Sequence, residues 1–187
     1  MKIAVISDIH ENFHNLTLFL NKLTDYREVE KILFLDFINN IAKLLASSDI
    51  PVFAIWNNDG DKVAITKTSL SRSNLEVFDT FDILEIDGKK IFITHYPMLA
   101  KPMAKSGDFD AVFYHDHYYN IDKIDECIIV NPGEISAYRT NHATFAIYDT
   151  ITNQAQIITL DSISLKTDIS DEYRKRVKFS KSRTHQY

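Results

Sequence analysis

Residues 2–8 read KIAVISD, and residues 13–23 read FHNLTLFLNKL. The first is a short, continuous apolar run, the pattern of a strand buried on both faces. The second sets Phe13, Leu16, Phe19, Leu20 and Leu23 at helical spacing, so their side chains share one face. A buried strand followed by an amphipathic helix is the opening of a βαβ unit.

The unit repeats. KILFLD (31–36) is a second buried strand, FINNIAKLLA (37–46) puts Ile38, Ile41, Ala42 and Leu45 on one helix face, and PVFAIW (51–56) is a third strand. Consecutive βαβ units predict a parallel sheet with right-handed crossovers. After the polar stretch 60–74 the pattern changes to short strands and tight turns. DILEI (82–86) and KKIFIT (89–94) meet at Asp87-Gly88, a two-residue hairpin signal. MLAKPMAKSG (98–107) is a candidate short helix, and FDAVFY, ECIIVNPG, HATFAIYD and QAQIITL read as strands, the last two joined by a turn at Thr152-Asn153. The pattern predicts an α/β domain of two sheets, with helices covering the first. Its expected extent is 1–165, followed by a basic tail over 166–187.

The chain has 187 residues, 45% hydrophobic and 12% aromatic, enough for one substantial core. No stretch reaches the roughly 18 apolar residues of a membrane span, and MKIAVISDIH turns acidic too soon for a signal peptide; the expectation is a cytoplasmic protein. Cys127 is the only cysteine, which excludes an intrachain disulfide and a thiolate cage for zinc. Six Lys or Arg lie within residues 173–187, so the rest of the chain is more acidic than the net charge of −5 suggests. An acidic body argues against nucleic acid as a partner, and the tail reads as a solvated terminus.

In an open α/β sheet the functional crevice lies beyond the carboxyl ends of the strands. The residues just past the predicted strands are Asp8 and His10, Asp36, Asn57 and Asn58, His95, and His115 and His117. Asp-x-His and His-x-His put two side chains on one side of an extended segment. Each pair alone is a weak signal; five strand ends delivering metal-ligand types together point to a metal centre. Carboxylates, imidazoles and a carboxamide suit Mn, Fe, Co, Ni or Zn better than Mg or Ca. So many donors exceed the needs of one ion, and two ions about 3.5–4 Å apart would activate water and clamp a phosphoryl group.

Asp8-x-His10, Asp36, Asn57-Asn58-Asp59, Thr94-His95 and His115-x-His117, in that order, resemble the motifs of the calcineurin-like metallophosphoesterase superfamily. NNDG (57–60), FITH (92–95), KSGDFDAV (105–112) and VNPGE (130–134) are most similar to its small bacterial and archaeal phosphodiesterases. The resemblance covers about residues 1–160. It implies a four-layer αββα sandwich of two mixed sheets and a dinuclear centre, often manganese. Asp8, His10 and His117 would hold one ion, Asn57, His95 and His115 the other, and Asp36 would bridge both. Asn58 stands where many members carry a histidine that contacts the phosphate, and is the candidate catalytic residue. Asp59 would orient a ligand histidine, or cap a turn. Glu134 would support the site or be a solvated turn acid.

The family usually has glycine where this chain has Leu35, Trp56, Tyr96 and Tyr114. A residue with a β-carbon at such a place either strains the loop or points away into the core. The implied function is a metal-dependent phosphodiesterase acting on a small phosphodiester or nucleotide through a bridging hydroxide. The resemblance also admits a non-catalytic scaffold on the same fold, with Tyr96, Tyr114, Tyr118 and Tyr119 as an aromatic patch for a partner; the expected partners otherwise are a small phosphoester substrate and, as a homo-oligomer, further copies of the chain.

Overall fold

The computed structural model describes residues 1–10, 12–37, 45, 48–57 and 74–160. The chain order is β1 (Lys2–Ile6), α1 (Phe13–Leu23), β2 (Val29–Phe37), β3 (Val52–Trp56), β4 (Leu75–Phe78), β5 (Phe81–Ile86), β6 (Lys89–Thr94), α2 (Pro97–Lys105), β7 (Ala111–Tyr114), β8 (Asn120–Ile124), β9 (Cys127–Asn131), β10 (Thr144–Asp149) and β11 (Gln154–Thr159). Of the helix expected over 37–46 only Phe37, which ends β2, and Leu45 are described; Leu45 is buried in the cluster that α1 joins.

One sheet has the order β11-β10-β1-β2-β3-β4 and the other β5-β6-β7-β9-β8. In the first, β1, β2, β3 and β4 run parallel while β10 lies antiparallel to β1. In the second, β6, β7 and β9 are parallel, and β5 and β8 close its two edges antiparallel. Both sheets are therefore mixed, as expected.

Strand alternation explains the layers. On β1, Ala4 and Ile6 face α1, where Leu16, Phe19 and Leu23 meet Phe34 and Phe145. Ile3 and Val5 face the other way and join Leu33, Leu35 and Ile55 against Leu84, Ile91, Ile93, Phe113 and Val130 of the second sheet. Beyond that sheet, Phe92, Val112 and Ile129 pack on Ala100 and Ala104 of α2. The result is helix, sheet, sheet, helix, and a strand with both faces covered has no polar alternation to show. Phe19 is fully buried and meets Phe145 edge to face at 5.0 Å; truncating either ring would cost about 3–5 kcal/mol.

Two strands were not legible in the sequence. In β8, NIDKI, four of five residues are exposed, so no buried face imprints a pattern, and its pairing with β9 is carried by backbone. In β4, LEVF, Leu75 alone is fully buried. The predicted hairpin is present: Ile86 pairs with Lys89, and Asp87 and Gly88 take φ of 52° and 73°, the left-handed pair that a two-residue turn of this hand requires.

Candidate metal centre

The carboxyl ends of β1, β2 and β3 in one sheet and of β6 and β7 in the other converge on one region. β1 delivers Asp8, the end of β2 delivers Asp36, and the residue after β3 is Asn57. His95 follows β6, and His115 and His117 follow β7.

Asp8 is at the centre and 1% exposed. Its Oδ1 lies 2.5 Å from His10 Nε2, and its Oδ2 meets Nδ1 of His117. Asp36, also buried, accepts a hydrogen bond from the Asn57 amide at 2.8 Å and lies 3.6 Å from His95 Nδ1. His95 and His115 stack face to face, centroids 4.7 Å apart, and His115 Nδ1 meets the Ser7 hydroxyl at 2.6 Å. All seven expected ligand positions therefore lie in one connected cluster. Two groups within it have ligand atoms mutually within 4.8 Å: Asp8, Asp36 and His115, and Asp8, His117 and Glu134. Asn58 and Asp59 lie outside the described residues.

Asp8 and His10 do not approach each other by strand alternation, as the sequence suggests. Both have left-handed backbones, φ 56° and 44°, a conformation that Asp and His adopt more readily than most side chains. The cause is tertiary. Ser7 and Asp8 carbonyls accept the N–H groups of Ile135 and Ser136, at 3.1 and 2.9 Å. Asn12, the N-cap of α1, donates its amide to the Ser136 carbonyl at 3.0 Å, and Asn15 donates to the Ile135 carbonyl at 2.8 Å. The turn that begins α1 is thus clamped to the loop after β9.

Asn131 does the same for the His-x-His segment. Its Oδ1 accepts from the Asp116 and Gly133 N–H groups, and its Nδ2 donates to the Tyr118 carbonyl at 2.5 Å. Gly133, at φ 77°, fits because a β-carbon there would collide with the Thr144 hydroxyl and crowd Tyr119 at 3.1 Å. Sequence reasoning passed over Ser7, Asn12, Asn15 and Ser136 and read Asn131 only as part of a turn. An asparagine three residues before another, at a helix start, carries a capping signal, but not the identity of its second partner.

The four positions without glycine are accommodated. Leu35 is fully buried between the sheets, Trp56 packs against the core cluster that α1 joins, and Tyr114 against the one that α2 joins. Tyr96 opens α2 with φ −95°. None of the four has a positive φ, so there is no left-handed strain at these points.

The charge balance asks for a cation. Asp8, Asp36 and Glu134 are all buried, and among the described residues their ion-pair partners are histidines alone. Burial tends to raise the Asp8 pKa, but the hydrogen bond from His10 and the charges of His10, His115 and His117 outweigh it and hold the group below the usual range. The hydrogen bond to Asp8 raises His10, against burial. Burial lowers His115, helped by His95 and His117; a neutral imidazole is the ligand form. Converging buried carboxylates, with imidazoles ready to donate lone pairs, fit divalent metal ions better than they fit each other.

A sequence profile of the calcineurin-like phosphoesterase superfamily domain matches residues 1–153. The chain belongs to this superfamily. It is 29% identical over 167 residues to phosphodiesterase MJ0936 of Methanocaldococcus jannaschii, covering 86% of this chain and 100% of that one. A solved structure described as a novel archaeal phosphodiesterase superposes with a TM-score of 0.77 at 28% identity, covering 86% of this chain and 100% of the other. Vps29 of Chaetomium thermophilum shares the fold, with a TM-score of 0.57 at 13% identity over 84% of this chain and 95% of its own. Family and fold make this superfamily member a hydrolase of the phosphoesterase class, dependent on divalent metal ions. Among the described residues, no helix is long and apolar enough to cross a membrane.

Proposed function

We propose that this calcineurin-like protein is a phosphodiesterase that hydrolyses a small phosphodiester or nucleotide at two divalent ions, manganese by preference. The carrying observation is that the seven expected ligand residues meet in one cluster, with ligand atoms of Asp8, Asp36 and His115 within 4.8 Å of one another. Asp8, His10 and His117 would hold the first ion, Asn57, His95 and His115 the second, and Asp36 would bridge. When bound, two such ions supply Lewis acidity that makes water a nucleophile at neutral pH and stabilises charge on phosphoryl oxygens.

The chain's own residues supply geometry. Ser7 orients His115, and the backbone carbonyl of Leu35, 3.3 Å from His95 Nδ1, orients that ring. The clamp of residues 135 and 136 on Ser7 and Asp8 fixes the first carboxylate, and Asn131 fixes the loop that carries His117. Asn58 would contact the phosphate, and Asp59 would support a ligand histidine. The same reading places the catalytic domain over 1–165 in the cytoplasm, with 166–187 as a basic appendage.

The test is hydrolysis of bis(p-nitrophenyl) phosphate by purified protein, before and after chelation. Turnover lost with EDTA and restored by Mn, Ni or Co is the expected result. Two tightly bound ions without turnover on any phosphodiester would favour a scaffold, and no bound metal would overturn the reading.

A further inference from the structure

The ligand set just described leaves Glu134 unused, yet this side chain is 0% exposed. Its two oxygens serve different neighbours. Oε1 accepts the N–H groups of Arg139 at 2.8 Å and Thr140 at 2.6 Å, and the Thr140 hydroxyl at 2.8 Å. Oε2 takes the Ser136 hydroxyl at 3.2 Å and lies 3.9 Å from His117 Nδ1. A Glu134 ligand atom, one from Asp8 and one from His117 lie within 4.8 Å of one another. Three donors on one oxygen hold the carboxyl in a single orientation, which turns the other toward the metal ligands.

We infer that Glu134 is itself a ligand of the first ion, a third carboxylate beside Asp8 and Asp36. The inference rests on the metal-dependent reading above. Two buried carboxylates facing one region repel unless a cation stands between them, and no Lys or Arg among the described residues pairs with either. The spacing suits oxygen and nitrogen donors around one ion, whose bonds are about 2.0–2.2 Å. An added carboxylate makes the donor set harder and shifts it toward Mn.

The same carboxyl carries a second consequence. Its Oε1 gathers residues 139 and 140, and the loop they belong to presents Tyr138, 62% exposed, with its ring 6.3 Å from His10. The two oxygens of one carboxyl thus face the loop on one side and the ligand cluster on the other.

The experiment compares the full-length metal-free protein with its E134Q variant by calorimetric titration with Mn alone. Glutamine keeps a carbonyl oxygen for the three loop donors and turns an amide toward the ion. Expected are two ions on the parent protein and, in E134Q, at least about tenfold weaker binding of one of them, with the melting temperature of the metal-free protein preserved. Two ions bound with unchanged affinity by E134Q would overturn the role of Glu134 and leave the phosphodiesterase reading standing. No ion on the parent protein would overturn both. Should E134Q fail to fold, a crystal of the Mn-loaded parent decides: Oε2 within about 2.3 Å of a manganese peak supports ligation, and Oε2 beyond 3 Å refutes it.

Discussion

Asp8 and Asp87 have nearly the same left-handed backbone, φ 56° and 52°, for different reasons. Asp87 and the Gly88 after it form a hairpin turn between two strands that pair in register; the cause lies within six residues. Asp8 is held by hydrogen bonds from Ile135 and Ser136, whose own carbonyls are held by Asn15 and Asn12. One turn is a local solution, exposed and tolerant. The other is imposed from the far end of the chain, buried, and used to aim a carboxylate. An unusual φ is therefore a sign of function only where something distant enforces it.

The contrast can be broken most strongly at Asp8 itself. Asp8→Asn keeps a side chain that tolerates the left-handed region but removes the ligand charge. Mn-supported phosphodiester hydrolysis should fall by at least about 100-fold, and the metal-free protein should melt lower than the parent, because His10 and His117 lose the charge they pair with. Preserved turnover would show that the charge of Asp8 is not what the clamp exists to aim.

Next comes the clamp. Asn15→Ala leaves the buried Ile135 carbonyl without its side-chain donor and should lower stability in urea by about 1–3 kcal/mol. Activity should drop with it, because the backbone at Ser7 and Asp8 loses its support. A stability loss with unchanged kcat/KM would mean that the clamp serves folding alone.

At the hairpin, Gly88→Ala should cost about 1–2 kcal/mol through backbone strain, with no clash, since nothing lies within 4 Å of the added carbon. Hydrolysis should be unaffected. The smallest effect belongs to Asp87→Asn. The Thr150 hydroxyl first, then the N-terminal amine, lower the Asp87 pKa from 3.8. Its contribution is present above that value and disappears as pH falls through the lowered folded value. The variant should therefore show a flatter loss of melting temperature below about pH 4.

The strand ends were legible because the apolar runs KIAVIS, KILFL, PVFAIW and KKIFIT mark where a buried strand stops, and the next polar residue must sit at the sheet edge. Asp87-Gly88 was legible because turn chemistry is local. Glu134 read as either a supporting or a solvated acid, since its neighbours in sequence are a turn; its burial comes from Arg139 and Thr140 folding over it and from His117 arriving from β7. β8 was missed for a related reason: an edge strand exposed along most of its length leaves no hydrophobic record. The positions of Leu35, Trp56, Tyr96 and Tyr114 left strained loops and core-facing side chains both open; none has a positive φ, and Leu35, Trp56 and Tyr114 pack on core clusters.

By itself, the order of residues determined the two sheets and the ligand types at their carboxyl ends, since burial on both faces dictates apolar runs and the polar side chains begin where the runs end. Only the tertiary structure decided how those ends meet. Asp8 with His117, Asn15 with Ile135, and Asn131 with Tyr118 are hydrogen-bonded neighbours contributed by separate elements, and Glu134 lies beside His117. No local propensity specifies such pairs; they exist because two packed sheets bring their edges to one place.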